Sequence, residues 1–303
     1  MAELVKINVE SAEAVLGLHW FVAQEEGLFE EEGMEVEIFL PGVRETKFAD
    51  DDPRRTDHTL VKSTNYQFLY EQKKVDIMRA CSWGQVRRAY DSERGAPIWT
   101  KRPAVVCQGI YVLPDSPVNA PMQLANKSVG VQYHQGSHYH TLSLLEGFVA
   151  RDEMNVVHAG TVHERFMALE NGEVDAATLM EPWISLAQKR GYKMITEGHY
   201  LGVENGPADM DPELLKRMLR AIKKSVTYIN KNPKKYIKHM LAEIPEHYAN
   251  ELTEDDFYLP RLRYVDPEPY TEEEFERQYK WMLTWNLIPE DADYTELVCN
   301  VTV

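Results

Sequence analysis

Three histidines lie close together at residues 129–148, which read VGVQYHQGSHYHTLSLLEGF. His134 and His138 are four residues apart, and two imidazoles with this spacing can bind one metal ion when both lie on a helix. Gly136 between them favours a turn instead, and no nearby glutamate completes the H-E-x-x-H pattern of a helical zinc site. We therefore predict no metal at His134, His138 and His140, and no cofactor elsewhere in the chain.

The turn at Gly136 indicates a different chemistry, the binding of an anion. Glycine lets the chain turn tightly, and the amides of Ser137, His138 and Tyr139 would then have no intrahelical partner at the start of a helix, so they can donate to an anionic group of a ligand. An imidazole beside such a group can donate a hydrogen bond and, when protonated, supply a positive charge. In the alternative, His134 and its neighbours only pack at the surface or between lobes.

A cysteine, a serine and a tryptophan directly follow the apolar run VDIMRA at 75–80. If that run is a strand, Cys81, Ser82 and Trp83 lie at its carboxyl end and face a cleft, where Ser82 can contact a ligand and Trp83 can form a wall. The Cys81 thiol is a candidate nucleophile when an imidazole lowers its pKa, and a buried, unreactive cysteine is the alternative. The imidazoles considered for this role are His19, His58 and those at 134–140.

Further candidate ligand-binding residues come from two other predicted elements. Glu181, in the segment MEPW, can bind a cationic or hydroxylated ligand group, act as an acid or base, or cap the helix that starts at Pro182. His19 and Trp20 open the first predicted helix. The indole of Trp20 can present a flat face to a planar ligand, or it can pack in the core.

An alternation of strands and helices must bring these residues together. The runs at 5–10 and 34–40 are rich in β-forming residues and flank a helical pattern, and four strand-like runs alternate with three helical ones from 128 to 197. Strands that alternate with helices of about ten residues indicate parallel sheets flanked by helices. Apolar residues with helical spacing at 215–229, after a cap at Asp211, predict a helix in the C-terminal part, as does the run from Tyr270 to Trp285.

Four segments resemble, in this order, the substrate-binding proteins of the nitrate, sulfonate and thiamine-precursor type. They are HWFVAQEEGLFEEEGMEVEI at 19–38, DSPVNAPMQLANKSVGV at 115–131, GSHYHTLSLLEGF at 136–148 and ALENGEVDAATLMEPW at 168–183. The resemblance implies a two-lobed, type II periplasmic-binding-protein-like α/β fold, in which each lobe is a mainly parallel sheet flanked by helices. It also implies a ligand cleft between the lobes, at the carboxyl ends of strands.

The same resemblance implies which parts of the chain form each lobe. Residues 1–112 and 198–303, with the C-terminal helices, would form the first lobe, and residues 113–197 would form the second. The two crossings between the lobes are then expected near 110–118 and 195–205. Closure of the lobes on a ligand is expected to bend the chain at both crossings.

Soluble enzymes share the fold of this family, so the fold does not decide the function. They include a pyrimidine synthase of thiamine biosynthesis, an aryl sulfinate desulfinase, dihydroxyphthalate decarboxylases and enzymes of menaquinone synthesis. The cysteine-rich C-C-C-F-C segment of the pyrimidine synthase has no counterpart in this sequence. The desulfinase has a cysteine just after its first strand, where this chain has Ser11, and a histidine ahead of its second helix, about where this chain has His58. The resemblance thus makes Ser11 a candidate ligand-binding residue.

The charge and the cysteines of the chain disfavour several classes of protein. The 303 residues are enough for two domains, and 33 Lys and Arg against 49 Asp and Glu give a net charge of -16. This charge repels phosphate and disfavours nucleic acids and anionic membranes as partners, so any bound anion must be held by local donors. No apolar run is long enough to predict insertion in a membrane, and three widely spaced cysteines predict neither a disulfide framework nor a zinc knuckle.

We therefore expect one of two functions. The first is a solute-binding protein that closes on a small anionic or aromatic organic molecule and delivers it to an ABC permease. The second is an enzyme on the same fold, of the lyase, decarboxylase, desulfinase-like or cofactor-biosynthesis type, which uses His58, His138 or Cys81. The N-terminus MAELVKINVESAEAV lacks the features of a signal peptide, so a cytoplasmic location is expected, or an extracytoplasmic one such as the periplasm if an export signal was removed.

Overall fold

The computed structural model describes residues 4–11, 13–39, 48–49 and 51–302. Its strands are β1 Val5–Glu10, β2 Met34–Phe39, β3 Met78–Cys81, β4 Ile98–Lys101, β5 Ala104–Val112, β6 Ser128–Val131, β7 Asn155–His158, β8 Ala176–Leu179, β9 Lys193–Tyr200, β10 Gly202–Asn205 and β11 Arg263–Tyr264. Its α-helices are α1 Ala14–Glu25, α2 Leu28–Glu31, α3 Phe68–Glu71, α4 Ser82–Asp91, α5 Gly136–Leu145, α6 Val162–Glu170, α7 Trp183–Lys189, α8 Pro212–Lys231, α9 Lys238–Leu241, α10 Glu246–Ala249, α11 Glu272–Thr284 and α12 Tyr294–Leu297.

Strands β1 to β4 and β10 form the sheets nearest the N-terminus. β1 and β2 pair in parallel, with Val5 opposite Met34. A parallel bridge between Val9 and Ile77 joins β1 to the chain that enters β3, and β10 lies antiparallel between β3 and β4. We call this group the N-terminal sheets. The carboxyl ends of β1 and β3 lie where α1 and α4 begin. Leu40, the last residue of the predicted run at 34–40, lies outside the described residues.

The remaining strands form a six-stranded sheet in the order β11-β5-β8-β6-β7, with β9 paired to β5. β6 lies parallel to both β7 and β8, and α5 and α6 connect these strands as two βαβ units. β5 pairs antiparallel with β8, β9 and β11. The predicted α/β alternation and the two-lobed α/β fold class are confirmed. The sheets are mixed because the strands next to the crossings run antiparallel to their neighbours.

The first two crossings between the N-terminal sheets and the six-stranded sheet touch each other. The chain leaves β4 at Lys101 and enters β5 at Ala104, and it returns from β9 to β10 through Leu201. After β10 the chain reaches the six-stranded sheet again at β11, which pairs with β5, and it returns to β4 where Val298 bridges Ile98. The Arg102 amide donates to the Gly202 carbonyl at 2.8 Å. A Cβ at Gly202 would lie 2.4 Å from the Arg102 guanidinium carbon, so only glycine fits where the crossings meet.

Because β5 already pairs with β8 and β9 of the six-stranded sheet, the first crossing lies before β5, ahead of the predicted 110–118. The second crossing, at Leu201, lies within the predicted 195–205. The division into lobes at 1–112 with 198–303, and at 113–197, stays a prediction. A lobe is a set of residues that move together, so the division into lobes is defined by comparing an open and a closed conformation.

Helix α8 illustrates how the sequence pattern produces the core. The Asp211 carboxylate accepts a hydrogen bond from the Glu213 amide at 2.9 Å and so caps the helix, as predicted. Apolar side chains of α8 pack on α1 and α2, and burial of each stabilises the fold by about 1.5–3 kcal/mol. The buried apolar residues of α8 include Leu215, Met218, Leu219, Ile222, Val226 and Ile229. Of the helices in the described part of the chain, none has the length and apolar character to cross a membrane.

Candidate functional site

Two small cavities lie between the N-terminal sheets and the six-stranded sheet, at the ends of β1 and β3 and at the start of α5. Their volumes are about 20 Å³ and about 30 Å³, enough for one or two water molecules each. Ala80 and Gln135 line both, so the cavities are neighbours, and we call them the cleft cavities. Their polar lining includes Glu10, Glu13, Arg79, Gln85, Arg88, Gln108, Gln132, Ser137 and Arg165.

Arg79 is a buried arginine in β3, 4% exposed. Its three guanidinium nitrogens have no hydrogen-bond partner among the described residues. The guanidinium lies over the Trp20 ring at 5.2 Å, and a Cβ at Gly17 would come within 2.5 Å of its Nη2 atom. Burial lowers the pKa of Arg79 to about 10, which leaves the side chain charged at neutral pH. A buried charge without hydrogen bonds is unfavourable by on the order of several kcal/mol, so this site favours an anion.

Two carboxyl groups lie near Arg79 without bonding to it. Glu10, at the end of β1, lines the same cavity, and burial raises its pKa to about 8 although two neighbouring arginines oppose the shift. Glu10 is therefore mostly neutral at pH 7. Burial would also raise the pKa of Glu204, but hydrogen bonds from His19 and Trp20 outweigh it and lower this pKa. The Glu204 carboxylate is thus ionised and attracts Arg79, but its Oε1 atom is hydrogen-bonded to His19 and Trp20 rather than to the arginine.

Two more arginines line the cleft cavities. Arg88 in α4 donates from Nη1 to Gln85 Oε1 and from Nη2 to the His134 carbonyl, both at 2.7 Å. Arg165 in α6 donates from Nε to the Thr178 carbonyl at 2.8 Å and from Nη1 to a second carbonyl at 2.9 Å. Neutral oxygens hold both guanidinium groups, and neither forms an ion pair in the ranges that the structure describes. Both charges therefore stay available to the cavities.

The start of α5 lies where the sequence predicts a helix, but glycine is needed there for a different reason. The left-handed residue is His134, with a φ of 56°, whereas Gly136 is the first helical residue. A Cβ at Gly136 would stand 2.6 Å from the Tyr200 hydroxyl oxygen. The tight turn predicted at Gly136 thus occurs two residues earlier, and the glycine permits close packing against Tyr200.

The amides at the start of α5 differ in their availability to a ligand. Those of His138 and Tyr139 donate to the Gln135 carbonyl at 3.0 and 3.4 Å. The Ser137 hydroxyl accepts a hydrogen bond from a backbone amide at 2.9 Å. The amides of Gly136 and Ser137 precede the first intrahelical hydrogen bond, and both residues line a cleft cavity. These two amides are therefore the ones that α5 can offer to an anion.

The structure brings His58, His134 and His138 together, beside the cleft cavities rather than in their lining. The His58 ring centroid lies 5.1 Å from that of His138 and 6.0 Å from that of His134, and the Tyr133 ring packs on His138 at 4.9 Å. Burial is the main cause that lowers the pKa values of all three histidines, to about 4 for His134. They are therefore neutral at pH 7. Within the described ranges, no group of three His, Cys, Asp or Glu could hold a metal ion.

His19 and Trp20 are completely buried and lie behind Arg79. Both contact the same Glu204 Oε1 atom, from His19 Nε2 at 2.8 Å and from Trp20 Nε1 at 3.0 Å. Ser11 is also buried, and its hydroxyl lies beside Gly17, as the Arg79 guanidinium does. Of these residues Trp20 contacts Arg79 directly, through its ring, and the ligand contacts predicted for His19, Trp20 and Ser11 stay predictions.

Cys81 lines a cleft cavity at the end of β3. Its sulfur accepts a hydrogen bond from the Gly84 amide at 3.2 Å, which caps α4. Burial raises the pKa of the thiol, although the charge of Arg88 opposes the shift. A thiol nucleophile requires the opposite direction, so the geometry favours the unreactive alternative for Cys81.

Three other candidates lie away from the cleft cavities. The Ser82 hydroxyl donates to Gln278 Oε1 at 2.5 Å, and Trp83 faces a separate pocket between α4, α5 and α11. Glu181 accepts a hydrogen bond from the Ser185 amide at 3.1 Å and so caps α7, and burial raises its pKa. Capping is therefore the role of Glu181 that the contacts support, and the ligand contacts of all three residues stay predictions.

Sequence reasoning missed the arginines of the cleft cavities. Arg79 carries a signal that could have found it, because a charged residue inside the apolar run VDIMRA is costly to bury unless it has a function. Arg88 and Arg165 carry no such signal. An arginine in a helix is normally exposed, and only the tertiary fold turns these two inward.

Comparison with known proteins gives a family and a fold. A family model described as NMT1/THI5 like matches residues 85–236. No curated protein matches the chain. The alkanesulfonate-binding protein SsuA from Xanthomonas axonopodis pv. citri, bound to MOPS, is similar with a TM-score of 0.75 at 12% identity, over 99% of this chain and 100% of that chain. The periplasmic aliphatic sulphonate binding protein SsuA from Escherichia coli is similar with a TM-score of 0.71 at 13% identity, over 98% of each chain. The desulfurization enzyme DSZB is similar with a TM-score of 0.64 at 15% identity, over 98% of this chain and 96% of that chain. At these identities the likeness establishes the fold alone, which is that of periplasmic binding proteins.

Proposed function

The chain belongs to the NMT1/THI5-like family, and from this premise we propose that it binds a small anionic organic molecule in the cleft between its lobes. The observation that carries the proposal is the Arg79 guanidinium, which is buried, charged and without a hydrogen-bond partner among the described residues. A charge in this state is stabilised most by an anion that accepts its hydrogen bonds.

The groups around Arg79 favour an anion over a cation. Arg88 and Arg165 add two positive charges at the cleft cavities, whereas burial raises the pKa values of the two lining carboxyl groups, Glu13 and Glu10, the latter to about 8. The Gly136 and Ser137 amides add the positive end of a helix dipole. Three arginines thus line the cavities against two carboxyl groups, so the local charge is positive although the net charge of the chain is -16.

We propose sulfonates as the first anions to test, because two proteins of the same fold are sulfonate-binding proteins. In this proposal the chain acts outside the cytoplasm and delivers its ligand to an ABC permease. The cleft cavities, at about 20 and 30 Å³, are smaller than such molecules. The lobes must therefore open to admit a ligand, by bending where Arg102 and Gly202 join the two crossings.

The test is isothermal titration calorimetry with methanesulfonate, MOPS and acetate against wild-type protein and Arg79→Met. Loss of charge-assisted hydrogen bonds should weaken the best of these ligands by about 1.5–3 kcal/mol, which is roughly 10- to 150-fold in Kd. Arg88→Met should weaken it too. Arg87→Met is a matched control, because Arg87 directly precedes Arg88 in α4 and its Nε atom is paired with Asp91 at 2.6 Å. Equal affinity of wild-type protein and Arg79→Met would contradict an anion site in the cleft.

A second candidate function is an enzyme on the same fold, of the lyase or desulfinase-like type. Glu10 is the observation that favours it, because a buried carboxyl group with a pKa of about 8 can act as a general acid near neutral pH. The test is incubation of the protein with the tightest ligand of the titration and with biphenyl-2-sulfinic acid, followed by mass spectrometry. Turnover that Glu10→Gln or Cys81→Ser abolishes while binding persists would favour the enzyme. An unchanged ligand would favour the binding protein.

A further inference from the structure

A second and larger pocket lies beside the two crossings of the chain, between α4, α5 and α11. Its volume is about 400 Å³, within the usual range of small-molecule sites, and it is lined by Trp83, His140, Tyr200, Leu201, Tyr270 and Trp281 among others. We call it the hinge pocket. We propose that the hinge pocket is a second ligand site, which binds a flat aromatic molecule that carries a carboxylate or a similar anionic group.

The walls of the hinge pocket are mostly aromatic rings. The Trp83 ring centroid lies 6.0 Å from that of Trp281, 5.7 Å from that of Tyr200 and 6.2 Å from that of His140. His140 and Tyr200 lie 5.2 Å apart. Aromatic side chains present flat apolar faces that stack on planar ligands, and this explains the choice of an aromatic ligand.

One ring separates the hinge pocket from the cleft cavities. Tyr200 lines both spaces. Its hydroxyl accepts a hydrogen bond from Gln108 Nε2 at 3.2 Å and lies against Gly136, on the cleft side, while its ring packs on Trp83 and His140 on the other side. A ligand in the hinge pocket therefore does not contact Arg79, and the two sites can be tested separately.

The polar groups of the hinge pocket favour an anionic substituent. Arg277 on α11 lines the pocket and forms no ion pair within the described residues. The carboxylate of Glu274, on the same helix, is bonded to the Thr271 amide at 3.0 Å and to Lys101 at 3.0 Å, and Lys101 also pairs with Glu268, so the charge of Glu274 is offset in part. The Tyr270 hydroxyl is buried and has no hydrogen-bond partner in the part of the chain that the structure describes. A carboxylate can accept hydrogen bonds from Arg277 and Tyr270.

The hinge pocket also contacts both sides of the crossing. Trp83 belongs to α4, which follows a strand of the N-terminal sheets, whereas His140 belongs to α5, which follows a strand of the six-stranded sheet. Leu201 is the residue between β9 and β10. A ligand that stacks between these elements is expected to favour the arrangement of lobes in which they lie together.

The test is isothermal titration calorimetry with 2-naphthoate and its neutral analogue 2-naphthamide. Trp83→Ala and Trp281→Ala should each weaken 2-naphthoate at least tenfold, because each removes a stacking face. Trp285→Ala is the matched control: this tryptophan lies one turn further along and donates to the same Glu146 carboxylate as Trp281, but it does not line the pocket. It should change the affinity less than twofold. Arg277→Gln should remove the preference for 2-naphthoate over 2-naphthamide.

Two more variants keep the test independent of folding and of the cleft site. Ser143→Trp places a large side chain at an exposed position on the pocket rim and should abolish binding without disturbing the core. Arg79→Met should leave 2-naphthoate binding unchanged, whatever its effect on sulfonates. The proposal is overturned if wild-type protein binds no 2-naphthoate at millimolar concentration, if Ser143→Trp binds it normally, if Trp285→Ala weakens it as much as Trp281→Ala, or if Arg79→Met abolishes binding.

Discussion

Gly136→Ala should destabilise the protein, although alanine is normally preferred to glycine in a helix. The new Cβ would stand 2.6 Å from the Tyr200 hydroxyl oxygen and 2.9 Å from its Cζ, closer than carbon atoms approach such groups. Tyr200 is held by Gln108, Trp83 and His140, so it cannot move away cheaply. Overpacking costs about 1–3 kcal/mol, whereas the gain in helix propensity is at most about 1 kcal/mol. The net loss should therefore be about 0–3 kcal/mol.

The assay is urea unfolding followed by circular dichroism, with Gly147→Ala as the matched control. Gly147 lies just beyond the end of α5, and a Cβ there would meet no atom within 4 Å. Gly147→Ala should therefore be neutral or slightly stabilising. The informative quantity is the difference between the two alanine variants, because both reduce the entropy of the unfolded chain by the same amount.

A double-mutant cycle with Tyr200→Phe identifies the atom responsible. Removal of the hydroxyl oxygen relieves the closest contact, so the loss caused by Gly136→Ala should be smaller in the Tyr200→Phe background, by roughly 0.5 kcal/mol or more. Equal stability of Gly136→Ala and Gly147→Ala, together with additive effects in the cycle, would refute the close-packing explanation. Gly136 would then be explained by the ligand or by the backbone rather than by Tyr200.

Three further predictions concern the cleft, α11 and the crossings. In the folded state Glu10 keeps its proton up to about pH 8, whereas the unfolded state releases it near pH 4.5. The folded state thus binds more protons between pH 6.5 and 8, so the free energy of unfolding should fall as pH rises, and Glu10→Gln should make this fall less steep. Equal slopes in urea unfolding would contradict this. Glu146→Gln should speed amide hydrogen exchange in α11, because its carboxylate accepts two indole N–H groups at 2.8 and 3.1 Å; unchanged exchange would show that these bonds do not hold the helix. Gly202→Ala should lower the free energy of unfolding by more than about 1 kcal/mol, because its Cβ would lie 2.5 Å from the Ala80 carbonyl oxygen, and a wild-type urea midpoint would show that the backbone relaxes there.

The fold could be predicted because its signals are periodic. The spacing of apolar residues at 215–229 follows the buried face of α8, and the alternation at 128–197 follows the βαβ units around β6. The crossings have no such signal. β5 reads as one more strand, and its sheet is decided by pairing with β8 and β9, which are distant in sequence.

The candidate site was predicted only where local sequence decides it. The start of α5 follows from the residues around Gly136, but the need for glycine there comes from Tyr200, 64 positions later in the sequence. Judged by residue type, the histidines can donate hydrogen bonds to an anion and, when protonated, supply positive charge. Burial among aromatic rings lowers their pKa values instead, and burial is a property of the fold that a residue type does not reveal.

The net charge of the chain is negative, whereas the charge at the cleft cavities is positive. The distance over which charges act explains why the surface carboxylates do not cancel the positive charge of the cleft. Two unit charges 4 Å apart interact by about 4 kcal/mol at an effective dielectric constant of 20, whereas exposed charges separated by more than about 8 Å are largely screened at physiological salt. Arg79 and Arg88 therefore dominate the potential inside the cleft, and the excess of surface carboxylates acts mainly on approaching molecules. An acidic exterior with a cationic cleft disfavours polyanions, which must cover much of the surface, and still admits a small anion that the lobes can enclose.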